Sequence, residues 1–108
     1  MPYADTHLAH APTRAAVEQF RGSAVLEFGT AWCGHCQGAQ PLIRAALQER
    51  ADVQHLKVED GPGRPLGRSY RVKLWPTLIF LRDGQEVARV VRPQTAGEID
   101  EALAQLTR

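Results

Sequence analysis

Ala24-Val25-Leu26-Glu27-Phe28, then Gly29-Thr30-Ala31-Trp32, then Cys33-Gly34-His35-Cys36 is the stretch on which the fold turns. Its first five residues are apolar except Glu27, the pattern of a strand covered on both faces. The next four read as a loop. A helical segment is expected from about Cys33 to Arg50, with Leu42, Ile43, Ala46 and Leu47 on one face. Pro41 lies inside it and lacks the N–H that the preceding turn needs, so a kink is expected there. The two cysteines therefore stand at a strand-to-helix junction. A helix N-terminus carries unpaired N–H groups and the positive end of the dipole. A thiolate at Cys33 is stabilised by both. Cys36, one turn deeper, is placed to attack a mixed disulfide on Cys33, which suits thiol–disulfide exchange.

Working outward, residues 1–11 are polar and irregular, with a short strand possible at Thr6–Leu8. A helix is expected from Pro12 to Phe20, ended by Arg21-Gly22-Ser23. Beyond the central helix come a strand at Val53–Val58, a loop at Asp60-Gly61-Pro62-Gly63 and a short helix at Pro65–Tyr70. Strands at Thr77–Leu81 and Glu86–Val91 flank Asp83-Gly84, a strong hairpin signal. Thr95–Leu106 closes the chain as a helix, with Thr95 and Glu98 forming a capping box. Strands alternating with helices predict an α/β fold, a sheet covered on both faces and made mixed by the final hairpin.

With 108 residues the chain is one domain, and 13 basic against 12 acidic residues leave a net charge of +1. That balance gives no global argument for nucleic acid. No run approaches the ~18 apolar residues of a membrane span, and the first residues lack a basic-then-apolar signal pattern, so a cytoplasmic protein is expected. Cys33 and Cys36 are the only cysteines. The loop they close is too short to staple a fold, which leaves chemistry or chance.

Trp32-Cys33-Gly34-His35-Cys36 resembles the active site of the thioredoxin superfamily, and the run from Val25 to Cys36 is similar to protein disulfide isomerase domains. Lys57-Val58-Glu59 resembles the family's second central strand, Trp75-Pro76-Thr77 its cis-proline element, and Asp83-Gly84 its hairpin. The likeness covers roughly residues 12–107, in the family's order. It implies a single thioredoxin-like domain over 1–108, built on a mixed sheet of four to five strands with helices on both faces. It also implies a monomeric oxidoreductase that reduces, forms or isomerises protein disulfides, in cell redox homeostasis and electron transport. Cys33 attacks and Cys36 resolves. No cofactor is needed beyond the Cys33–Cys36 disulfide, and electrons come from a thioredoxin-reductase-like partner or small thiols. By the same likeness Glu27 lies beneath the motif as base for Cys36, and Lys57 lies beside Glu27. His35, as imidazolium, adds to the stabilisation of the Cys33 thiolate. The substrate-contacting set is Trp32, Gly34, Trp75, Pro76 and Arg92, with the Trp75 backbone left free to pair with an extended substrate.

Several positions depart from the family. Gly29 and Thr30 replace an aromatic residue and Ala, which predicts looser packing under the loop. Trp75 is large for its place, and Arg92 stands where Gly is usual, favouring an acidic substrate. Residues 64–92 carry an excess of five positive charges, and Arg64, Arg68 and Arg71 are expected on one helical face. His7, His10 and His55 show no ligand spacing and are read as structural or exposed. Two other classes of function remain open. Cys33, Cys36 and His35 offer soft metal ligands, but a zinc site wants four, and no second CxxC exists. An interaction module that borrows the fold would not need both thiols.

Overall fold

The computed structural model describes residues 3–107. Thr13 caps the first helix, α1 (Arg14–Glu18), its hydroxyl accepting the Ala16 N–H at 3.0 Å. The remaining elements are β1 (Ser23–Gly29), α2 (Gly34–Leu47), β2 (Val53–Glu59), α3 (Pro65–Ser69), β3 (Thr77–Arg82), β4 (Gln85–Val91) and α4 (Ala96–Gln105). The expected order is present, with ends moved by one to three residues. The helix through Pro41 runs unbroken to Leu47 rather than Arg50. The strand expected at Thr6–Leu8 does not form; one backbone bond, Leu8 N–H to Lys57 O at 2.9 Å, ties that segment to β2.

The sheet has four strands in the order β2-β1-β3-β4, parallel between β1 and β2 and antiparallel elsewhere. β1 lies inside and is buried on both faces from Ala24 to Gly29, as its run of apolar residues, broken only by Glu27, requires. Alternation along the strand sends its side chains to opposite layers. Val25 packs with Ile43 and Leu47 of α2 and Ile99 and Leu103 of α4. Leu26 and Phe28 pack on the other side with Val17, Leu66 and Tyr70. Each such side chain contributes about 1.5–3 kcal/mol by leaving water.

That alternation decides the chemistry, because Glu27 follows Val25 and faces α2. In the parallel register Val25 lies opposite His55 and Glu27 opposite Lys57. One face of two strands therefore gathers an acid, an imidazole and an amine beneath the helix that carries Cys36. No helix among the described residues is long and apolar enough to cross a membrane.

Asp83 and Gly84 both have positive φ, 49° and 79°, the conformation of a tight hairpin turn. A Cβ on Gly84 would also run into the backbone of Glu18 at the end of α1. Gly84→Ala should therefore lower stability by more than about 1 kcal/mol. The expected reading is a lower urea midpoint at unchanged slope.

Candidate active site

Cys33 is the N-cap of α2, with extended φ and ψ of −76° and 122°. Its Sγ accepts the Cys36 N–H at 3.3 Å, so sulfur takes the place that a Ser or Asp oxygen fills in most caps. Both cysteines are free thiols, Cys33 8% and Cys36 4% exposed. Their environments split them. Burial pushes the Cys33 thiol up, but hydrogen bonds from the Cys36 thiol and from the Cys36 and His35 backbone, with the Arg92 cation, bring it below the ordinary cysteine range. Burial pushes Cys36 up to about 12, helped by its hydrogen bond to Cys33 and by the negative charges of Cys33 and Glu27. One sulfur is poised to be a thiolate while the other keeps its proton.

The Cys36 side of the pair faces inward. A cavity of about 320 Å³ is lined by Cys36, Glu27, Lys57, Gln40 and Thr30, with His7 at its N-terminal edge. Gln40 organises it. Its amide nitrogen donates to Glu27 Oε2 and to the Cys36 carbonyl, both at 2.8 Å. Its oxygen accepts the Tyr3 hydroxyl at 2.6 Å and Lys57 Nζ at 3.2 Å. Two acceptors on one end and two donors on the other fix which way the amide points. Lys57 lies beside Glu27 in the register, as the resemblance implies, and its ammonium bonds Gln40, which in turn bonds Glu27. The other Glu27 oxygen lies 2.9 Å from His55 Nε2.

Gln40 and His55 were both missed in the sequence. Gln40 follows Cys36 by four residues on one helix, and His55 precedes Lys57 by two on one strand. Each spacing puts the pair on one face, so both were within reach of period arguments.

Gly29 also differs from expectation. A Cβ built there would overlap Cys36 Sγ. The missing ring does not loosen the packing, because the thiol itself occupies that space.

The outer side holds Gly34, His35 and Arg92 along a groove of about 650 Å³. The His35 side chain is exposed, and the residue acts on Cys33 through its backbone N–H. The cationic contribution expected of its imidazolium comes from Arg92.

Arg92 adopts a φ of 49°. Its Nε donates to the Trp75 carbonyl at 2.8 Å, and its backbone N–H to the Pro76 carbonyl at 2.9 Å. The Trp75–Pro76 bond is cis as expected. The Trp75 carbonyl, however, already accepts from the guanidinium. The Trp75 ring is pinned by Nε1–H to Asp60 Oδ2 at 2.9 Å and meets Trp32 edge-on, with centroids 5.8 Å apart. Trp32 is 73% exposed. The two indoles thus pack on each other, while Glu27 and Lys57 line the cavity with Cys36.

Arg64, Arg68 and Arg71 do not share a helical face. Arg64 caps the five-residue α3, and Arg71 lies past its end with a φ of 58°. They line a recess of about 500 Å³ with Lys73 and Asp60. Among the described residues no three His, Cys, Asp or Glu side chains converge as a metal ion requires.

Comparison with known proteins agrees with this geometry. A family model described as thioredoxin matches residues 6–105. The solved structure of reduced thioredoxin 2 from Pseudomonas aeruginosa PAO1 is 56% identical and superposes with a TM-score of 0.85, over 95% of this chain and 96% of that one. Thioredoxin H2-1 of Oryza sativa is 34% identical over 67 residues, 62% of this chain and 49% of that protein. A thioredoxin of Chlamydia trachomatis is 39% identical over 71 residues, 65% and 69% of the two. The matched stretch thus spans about half the length of the rice relative.

Removing the Arg92 side chain tests its part in the site. Glycine adopts the positive φ at no cost, so Arg92→Gly should stay folded. Its Cys33 thiolate, followed by absorbance near 240 nm against pH, should form at higher pH than in the unsubstituted protein. In both proteins only one of the two thiols should ionise below about pH 10.

Proposed function

This chain belongs to the thioredoxin family, and on that premise we propose that it is a thiol–disulfide oxidoreductase acting on protein disulfides through Cys33 and Cys36. The observation that carries the reading is the placement of the pair. Cys33 Sγ caps α2 and accepts the Cys36 N–H, while Cys36 lines the cavity with Glu27. The thiolate is the attacking species in exchange. Cys33 attacks a substrate S–S bond and forms a mixed disulfide, releasing the first substrate thiolate. Cys36 then loses its proton and attacks Cys33 sulfur, releasing the second. The protein's dithiol is oxidised by two electrons and the substrate disulfide is reduced.

Glu27 is the group placed to take the Cys36 proton, since both line the inner cavity. Water is the carrier in this reading, and the cavity has room for several molecules at ~30 Å³ each. On the outer side, Trp32 and Trp75 offer ring faces to a substrate chain, and Gly34 and Arg92 line the groove where it lies. Arg92 keeps N–H donors beyond the one on Trp75, which suits an acidic substrate residue. Electrons return from a thioredoxin-reductase-like partner or a small thiol. The protein works as a monomer in a reducing compartment such as the cytoplasm, where a dithiol without structural disulfides is at home.

Stabilising the Cys33 thiolate favours the reduced form and makes the disulfide more oxidising. In glutathione buffers the Cys33–Cys36 couple should lie above the roughly −270 mV of thioredoxin, toward the −180 mV or so of protein disulfide isomerase. Cys33→Ser should abolish disulfide reduction, whereas Cys36→Ser should accumulate a mixed disulfide that mass spectrometry detects. No insulin reduction by the unsubstituted protein, together with a biological activity that Cys33→Ser leaves in place, would move the protein to the class of interaction modules.

A further inference from the structure

His55 has no part in the exchange as described so far, yet it is sealed against the acid that serves it. The side chains of His55 and Glu27 are 0% and 3% exposed. His55 Nδ1 receives the backbone N–H of Ala4 at 2.8 Å. A peptide N–H only donates, so Nδ1 carries no proton and the ring hydrogen sits on Nε2. Nε2–H then donates to Glu27 Oε1. An imidazolium would set two hydrogens against each other at Ala4. The Tyr3 ring packs on the imidazole at 5.4 Å, and its hydroxyl holds Gln40. The N-terminal segment thus grips both groups that hold the carboxylate.

Resting on the dithiol reading above, we propose that His55 is the positioning residue of the proton acceptor. Fixed by Ala4 as the Nε2–H tautomer, it holds the Glu27 carboxylate oriented at the wall of the cavity shared with Cys36. In the resolving step the Cys36 S–H proton passes through water to Glu27. The Cys36 sulfur bonds to Cys33 sulfur, the Cys33–substrate S–S bond breaks, and the substrate sulfur leaves as thiolate.

The other ionisable groups around the pair do not supply this function. Lys57 on β2 is committed to Gln40, and Arg44 on α2 lies over the Tyr3 ring at 4.5 Å. Cys36 on α2 is the proton donor. On the N-terminal segment, burial and the Glu27 charge push Tyr3 up, and burial and Lys57 push His7 down, so both are neutral at pH 7. Asp5 lines the same cavity and adds a negative charge there.

The test follows release of substrate thiol from a preformed Cys33 mixed disulfide against pH. A carboxylate that loses an N–H donor holds its proton more tightly. In His55→Leu the acid limb of the resolving rate should therefore move up by about one pH unit, about tenfold slower on that limb. His55→Gln, whose amide supplies an N–H, should recover most of the loss. Ring ¹⁵N spectra of the unsubstituted protein should show a protonated Nε2 and a bare Nδ1 from about pH 5 to 8. An unmoved acid limb in His55→Leu, or an imidazolium at pH 7, overturns the proposal. Should His55→Leu fail to fold, the ring spectra decide alone. Failure of the unsubstituted protein to form any mixed disulfide would instead remove the dithiol reading.

Discussion

The bond from the Cys36 N–H to Cys33 Sγ ties the chain's architecture to its chemistry. A helix needs an acceptor at its N-cap, and here the acceptor is the nucleophile. The donors that stabilise the thiolate are therefore in place before any substrate arrives, because α2 cannot begin without them. Preorganised donors need no rearrangement as charge develops. The cap in turn depends on β1, which ends at Gly29 and delivers the chain to the start of α2.

A thiolate at Cys33 leaves a problem at Cys36, which is buried and pushed up to about 12. The second proton must go somewhere, and the inner cavity offers Glu27. A buried carboxylate is costly unless its oxygens are met by donors. Gln40 and His55 meet them, one from the helix above and one from the neighbouring strand. Leaving one carboxylate oxygen unmet by a donor costs about 1–3 kcal/mol. The same bonds therefore hold the sheet to α2 and hold the carboxylate in position. Gly29 completes the arrangement by leaving the Cys36 thiol the space that a side chain there would take.

The outer side obeys a different constraint. A residue with a φ of 49° is normally Gly, Asn or Asp, yet Arg92 stands there. The strained backbone carries a side chain that bonds the Trp75 carbonyl and lends positive charge to Cys33. The guanidinium thus occupies the Trp75 carbonyl, where resemblance alone implied a free Trp75 backbone.

Local pattern settled a great deal. The apolar run at 24–28, the Asp83-Gly84 turn and the Thr95–Glu98 capping box each specify their own geometry, because turns, caps and strand periods depend on residues close in sequence. The cysteine spacing at a strand-to-helix junction likewise named both sulfurs and their order of action. What pattern did not reveal depends on register between segments distant in the chain. His55 looked idle until the parallel pairing of β1 and β2 set it beside the acid. Gln40 carries no signal of its own in the sequence; its place is set by Tyr3 and Lys57 closing on its oxygen. The N-terminal segment looked irregular, and it is, yet Ala4 fixes the imidazole's tautomer from 51 positions away. Arg92 was singled out from the sequence, but that its side chain would close on Trp75 was decided by the fold. Short-range rules placed the sulfurs; only packing across the sheet could determine which groups surround them and where a proton can travel.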